Sequence, residues 1–104
     1  MGNVYLIAEK DSENNLYKIG CTKKENISER IKELQTGNPN ELKLIAAHKT
    51  KNFYKIETML HNRFKLKQTL NEWYELTDDE VKSFNTTCRK FEGIIDALSE
   101  NPFF

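Results

Sequence analysis

Four polar side chains stand where packing alone would not have put them: Tyr5 inside the apolar run VYLIA, Lys18 inside LYKIGCT, Arg30 beside one apolar helical stripe and Glu57 beside another. Each has an ordinary account. A strand tyrosine buries its ring and leaves its hydroxyl at the rim, and a strand lysine lays its stem along the sheet with its ammonium in water. Helical Arg and Glu commonly pair with neighbours one turn away. If the four meet in space they amount to more: a phenol, an ammonium, a planar fork of donors and a carboxylate, the groups that acid–base chemistry on an anion requires.

The charge distribution agrees with an anionic partner. The chain is neutral overall. Residues 1–67 nevertheless hold 13 Lys/Arg against 8 Asp/Glu, a net +5, and residues 68–104 hold 3 against 8, a net −5. Such a division points the basic half toward a polyanion, although runs of surface charge also serve plain solvation. Lys23 and Lys24 follow the Lys18 segment, Lys32 shares the Arg30 helix, and Lys49, Lys51 and Lys55 lead into the Glu57 helix. Contacts from these to phosphates would track a backbone without reading bases.

The elements that must position these groups are legible from pattern. VYLIA (4–8) and LYKIGC (16–21) are β-rich runs joined by the short polar loop EKDSENN, which predicts an antiparallel hairpin. A helix follows, with Asn26 as cap, Glu29 placed for a capping box, Ile27, Ile31 and Leu34 as its stripe, and Gly37 and Pro39 as its stop. LKLIAAH (42–48) reads as a strand with one covered face. A second helix, about 52–67, carries Phe53, Ile56, Leu60 and Phe64 on one side, with Met59 widening the stripe. NEWYEL reads as a short strand or extended turn. A last helix, about 78–98, shows Val81, Phe84, Cys88, Phe91, Ile95 and Leu98 at alternating three and four spacing, with Thr77, Asp78 and Asp79 at its start. This order predicts an α+β fold: a small, mostly antiparallel sheet flanked by helices, with an additional C-terminal helix.

Composition bounds the rest. A chain of 104 residues, 38% hydrophobic and 31% charged, makes one domain with one modest core: about 3–76, plus the C-terminal helix. No window approaches the run of about 18 apolar residues that spans a membrane. The N-terminal MGNVYLIAEK lacks a signal-peptide layout, and Leu6 replaces the Ser or Thr of a myristoylation site. Two cysteines, Cys21 and Cys88, are expected to be reduced thiols, which predicts an intracellular protein. Cys21 has no histidine partner and reads as a small filler, and nothing stands at zinc-ligand spacing.

The four groups and their company resemble the GIY-YIG nuclease superfamily. Its first strand ends in Gly-Ile-Tyr, here Asn3-Val4-Tyr5, and its second contains Tyr-Ile-Gly, here Lys18-Ile19-Gly20. Its helical arginine is matched by Arg30 in ISERIKELQTGNP and its helical glutamate by Glu57 in YKIETMLHNRF. NEWYEL looks like the Glu-Trp-aromatic ending of a phage- and virus-rich branch that also carries Lys-Ile-Gly. The likeness spans about 3–76. It departs from the pattern at Asn3, at Lys18, and at Leu34, where several members have a histidine. Anchoring on Gly20 puts Lys18 at the motif position, and strand alternation turns Tyr17 to the opposite face.

The resemblance implies hydrolysis of phosphodiester bonds in DNA, with one divalent cation, Mg²⁺ or Mn²⁺, held chiefly by Glu57. Arg30 would hold the phosphate oxygens, and Tyr5 would be the base for the attacking water, a poor one at a pKa of about 10. A Lys18 ammonium near the Tyr5 hydroxyl would favour the phenolate; Lys18 as the neutral base is the opposite assignment. His61, four residues after Glu57, is placed to touch phosphate or the metal's surroundings. Two other readings stand beside this one: a nucleic-acid-binding module of the same fold without turnover, and a protein-interaction domain using an acidic C-terminal helix and the NPFF tail. The oligomeric state is left open.

Overall fold

The segment GNVYLIAE alternates its side chains across a sheet, and both sets are buried: Val4, Leu6 and Ile7 are fully covered and Tyr5 is 1% exposed. Only a central strand with layers on both faces satisfies that pattern. In the computed structural model, which describes residues 1–10 and 13–99, this strand is β1 (Gly2–Glu9). It is followed by β2 (Leu16–Thr22), α1 (Ile27–Thr36), β3 (Leu42–Thr50), α2 (Phe53–Arg63), a 3₁₀ turn (Lys65–Lys67), β4 (Trp73–Glu75), α3 (Asp78–Lys82) and α4 (Phe84–Ser99). The sheet is antiparallel throughout, in the order β3-β1-β2-β4. The fold is α+β, as the pattern predicts.

The two faces carry different helices. On one, Val4, Leu6 and Ile19 pack with Ile56, Leu60 and Phe64 from α2 and with Phe84, Cys88, Phe91 and Ile95 from α4. On the other, Tyr5, Ile7 and Leu42 meet Ile27, Ile31 and Leu34 of α1, together with Trp73. The apolar run LIAA in β3 breaks alternation for a physical reason. Pairing passes from Leu6–Ala46 to Ile7–Leu44, so Ile45 is an extra residue, and the bulge turns both Ile45 and Ala46 onto the α2/α4 face.

Three local expectations change. Asn26 caps α1 by accepting from Ser28 N at 3.1 Å, but Glu29 closes no box and lies 3.8 Å from Lys24 Nζ instead. The second helix stops at Arg63, and the 3₁₀ turn takes the chain onward. The last helix is two, with a break at Ser83; α3 begins with the capping box of Thr77 and Glu80. The acidity expected of one long helix belongs to α3, at Asp78, Asp79 and Glu80, whereas α4 balances Arg89 and Lys90 against Glu92 and Asp96. The NPFF tail lies outside the described residues.

α4 is held by more than its stripe. Asn85 Nδ2 donates to the Ala47 carbonyl at 2.8 Å, which covers part of the outer edge of β3. Glu92 receives Asn52 Nδ2 at 2.6 Å and lies 3.2 Å from His48 Nε2. No helix among the described residues is long and apolar enough to cross a membrane.

Candidate functional site

Tyr5 pairs with Gly20 across the β1–β2 ladder, and its side chain lies over that residue: a Cβ on Gly20 would come within 2.5 Å of the phenol oxygen. The glycine after Ile19 thus has a steric cause. Tyr5 Oη accepts from Arg30 Nε at 3.4 Å, and Arg30 Nη1 lies 3.6 Å from Glu33 on the same helix. Burial raises the Tyr5 pKa above the ordinary phenol value. The Arg30 hydrogen bond and charge oppose that rise, and the charges of Glu72 and Glu57 add to it.

Glu57 comes to the same place from the opposite side of the sheet. Ile56 and Leu60 anchor α2 in the core, and Glu57, half-buried next to Ile56, lies beside β2 where β4 no longer covers it. Cys21 is the witness. Burial first, then the charge and hydrogen bonding of Glu57 and the charge of Glu72, push its thiol up to about 12 against the opposing charge of Arg30. The thiol is therefore protonated at neutral pH and packs as the filler expected.

Lys18 stands on the Tyr5 face, two residues before Gly20, and Tyr17 packs on the other face, as alternation requires. The ammonium is not the cation on the phenol. Lys18 Nζ lies 3.5 Å from Glu72 Oε2, and Arg30 occupies the place beside the Tyr5 hydroxyl. The reason is β4: its pairing of Trp73 with Lys18 brings Glu72 beside the lysine. Glu72 escaped the sequence reading, where its segment served only as a likeness; the signal was its place one residue before the strand that edges β2.

Asn3 is a second residue whose part was not foreseen. It is 4% exposed, and its Nδ2 donates to the carbonyls of Lys24 at 3.0 Å and Glu25 at 3.1 Å. That pins the loop from which α1, and so Arg30, departs. His61 Nε2 lies 3.1 Å from the Ile19 carbonyl and its ring stacks on Tyr74 with centroids 5.5 Å apart. A carbonyl only accepts, so Nε2 carries the proton and is committed to β2.

The basic residues are spread around this centre. Lys23 and Lys32 are exposed; Lys24 Nζ is 3.8 Å from Glu29 and 3.9 Å from Glu33. Lys49 lies opposite Asn3 on β3, Lys51 opens the turn into α2, and Lys55 is exposed two residues before Glu57. Among the described residues no three His, Cys, Asp or Glu side chains cluster as a metal cage. Glu57 offers a hard oxygen donor, while Glu72, whose charge reaches the same three groups, Tyr5, Cys21 and Tyr74, is engaged with Lys18. This donor set fits a cation that keeps most of its water, as Mg²⁺ does, and is unsuited to zinc.

An antiparallel α+β domain with a buried phenol, a guanidinium and a carboxylate converging at the partly uncovered edge of its second strand is the class of protein these observations define. The chain matches the T5orf172 domain family over residues 2–91 and belongs to it. No curated protein and no solved structure matches it significantly.

Proposed function

We propose that this chain is a divalent-metal-dependent endonuclease of GIY-YIG type that hydrolyses phosphodiester bonds in DNA, its sheet and helices acting as one domain. The observation that carries the reading is the convergence of Tyr5, Arg30 and Glu57 from β1, α1 and α2, with the Tyr5 oxygen accepting from Arg30 and lying within the field of Glu57. Membership of the T5orf172 family and the Lys-Ile-Gly and Glu-Trp-Tyr sequences support it.

In this reading Arg30 binds the scissile phosphate through the guanidinium nitrogens not engaged by Tyr5, where the oxygens gain charge in the transition state. Lys18 exchanges Glu72 for a phosphate oxygen when DNA arrives. Tyr5 is the base: its phenolate fraction takes the proton of the attacking water as a new P–O bond forms and one ester P–O bond breaks. Glu57 would hold Mg²⁺ or Mn²⁺, which supplies Lewis-acid stabilisation of the leaving oxygen. The exposed lysines around these groups contact neighbouring phosphates.

Purified protein incubated with single-stranded, duplex and branched DNA, with and without Mg²⁺ or Mn²⁺, tests this, with Glu57→Ala as the control. Cleavage that needs both the metal and Glu57 is expected. Salt-sensitive binding without cleavage would instead make the chain a binding module of the same fold.

A further inference from the structure

We propose that the hollow beside Trp73 receives an unpaired nucleobase, so that the substrate of the site is single-stranded DNA rather than intact duplex. The inference rests on the reading above, in which Lys18 and Arg30 face a DNA backbone. The hollow has a volume of about 180 Å³ and is lined by Glu9, Asn14, Leu16, Thr69, Leu70 and Trp73. Its position ties it to the site. Trp73 is the cross-strand partner of Lys18, and such neighbours project to the same face about 5 Å apart. Lys18 in turn lies one strand repeat, about 6.7 Å, from Gly20 and the phenol above it.

The lining has the character of a stacking site with a polar rim. One part of the half-buried Trp73 packs with Tyr5, Ile7 and Leu42, and another part lines the hollow. Leu70, 71% exposed, and Leu16 supply apolar walls, which an indole and a base can share. Glu9 takes Asn40 Nδ2 on one carboxylate oxygen at 3.1 Å and contributes acceptors only. Its charge repels phosphate and attracts an exocyclic amine, so a base enters while its phosphate stays with Lys18. The same carboxylate favours cytosine, adenine and guanine over thymine, which lacks an amine. A base stacked within a duplex cannot reach the hollow.

The experiment uses the chain's single tryptophan, part of which lines this hollow. In EDTA, which prevents cleavage, short oligodeoxycytidylate should quench Trp73, oligothymidylate should do so less, and duplex or an abasic strand should not. Trp73→Leu should weaken binding of oligodeoxycytidylate by roughly 5- to 100-fold, leaving duplex affinity within about twofold. Trp73→Phe, which keeps a stacking face and guards against misfolding, should retain most of the affinity. Unchanged emission with a labelled oligodeoxycytidylate fully bound, or an undiminished single-strand preference in Trp73→Leu, overturns the proposal. Quenching without cleavage when Mg²⁺ is restored leaves this proposal standing and removes the nuclease reading. Cleavage of duplex with no change at Trp73 does the reverse, and failure to bind any DNA removes both.

Discussion

The Tyr5 hydroxyl crosses β2 directly over Gly20, so close that a Cβ at residue 20 would lie 2.5 Å from Oη and 2.7 Å from Cζ. The ring cannot yield easily, since Tyr5 is 1% exposed and packed among Ile7, Leu42 and the α1 stripe. Gly20→Ala should therefore displace the phenol from Arg30, cost about 1–3 kcal/mol in urea unfolding and reduce cleavage at least tenfold. In a Tyr5→Leu background the same change should cost much less stability. Equal costs in the two backgrounds would show that the two side chains do not collide.

The raised Tyr5 pKa fixes the sign of a pH profile. A base is active when deprotonated, and burial keeps this phenol protonated through neutrality. Single-turnover cleavage should climb about tenfold per pH unit from neutrality and show no plateau below about pH 10. Removing the guanidinium with Arg30→Gln takes away the group that lowers the pKa, so the climb should persist to still higher pH. A plateau near pH 8 would move the base away from Tyr5, with Lys18 the next group to examine.

Much of this arrangement was legible in the residues themselves. Anchoring on Gly20 gave Lys18 the motif position, and alternation then turned Tyr17 away because a strand has only two faces; the polar loop between two β-rich runs dictated the hairpin. The stripe of α2 placed Glu57 at the margin of the core. The identity of the cation on the phenol was not legible, because it depends on how α1 lies across Tyr5 and on β4 delivering Glu72 to Lys18. Nor was the break at Ser83, since the apolar spacing runs through it without interruption. The bulge at Ile45 was visible only as consecutive apolar residues, a pattern that a buried strand shares.

Lys18 and Tyr17 give opposite expectations although adjacent. Lys18→Met removes a phosphate ligand and should lower cleavage at least tenfold, raising KM and flattening the salt dependence of DNA binding by about one unit of slope. Tyr17→Phe keeps the ring that packs against the α2/α4 face and should change cleavage less than twofold. The reverse ranking would mean that the other face of β2 meets the substrate.

Glu92 links α4 to the β3–α2 junction, and its carboxyl gives that link a pH dependence. Burial works to raise its pKa, but the hydrogen bonds from Thr50, Asn52 and His48 prevail and hold it below the ordinary carboxylate value. A folded pKa below the unfolded one contributes stability that is present above about pH 4.5 and lost as pH falls through the folded value. Glu80, burial notwithstanding, is held low by Lys67 at 2.6 Å and by Thr77, and acts in the same window. Glu92→Gln should lower stability at pH 7 by about 1–3 kcal/mol and make unfolding less sensitive to acid. An unchanged acid slope in thermal melts between pH 6 and pH 3 would show that the clamp is not what acid releases.

Asn3 tests whether Arg30 is positioned from a distance. Its amide satisfies two loop carbonyls from a position 4% exposed, so Asn3→Ala leaves both without their donor and opens a small void beneath the loop. The expected cost is about 1–3 kcal/mol. Asn3→Asp is the sharper variant, because a carboxylate of the same shape can only accept, and would face two carbonyl oxygens. It should destabilise the fold more than Asn3→Ala does. With α1 set loose, Arg30 should still bind DNA through its charge but hold the phosphate poorly, so that kcat falls while KM changes little. A loss confined to KM, or an Asn3→Asp protein as stable and active as the parent, would mean that the loop is held by other contacts and that α1 does not depend on this side chain.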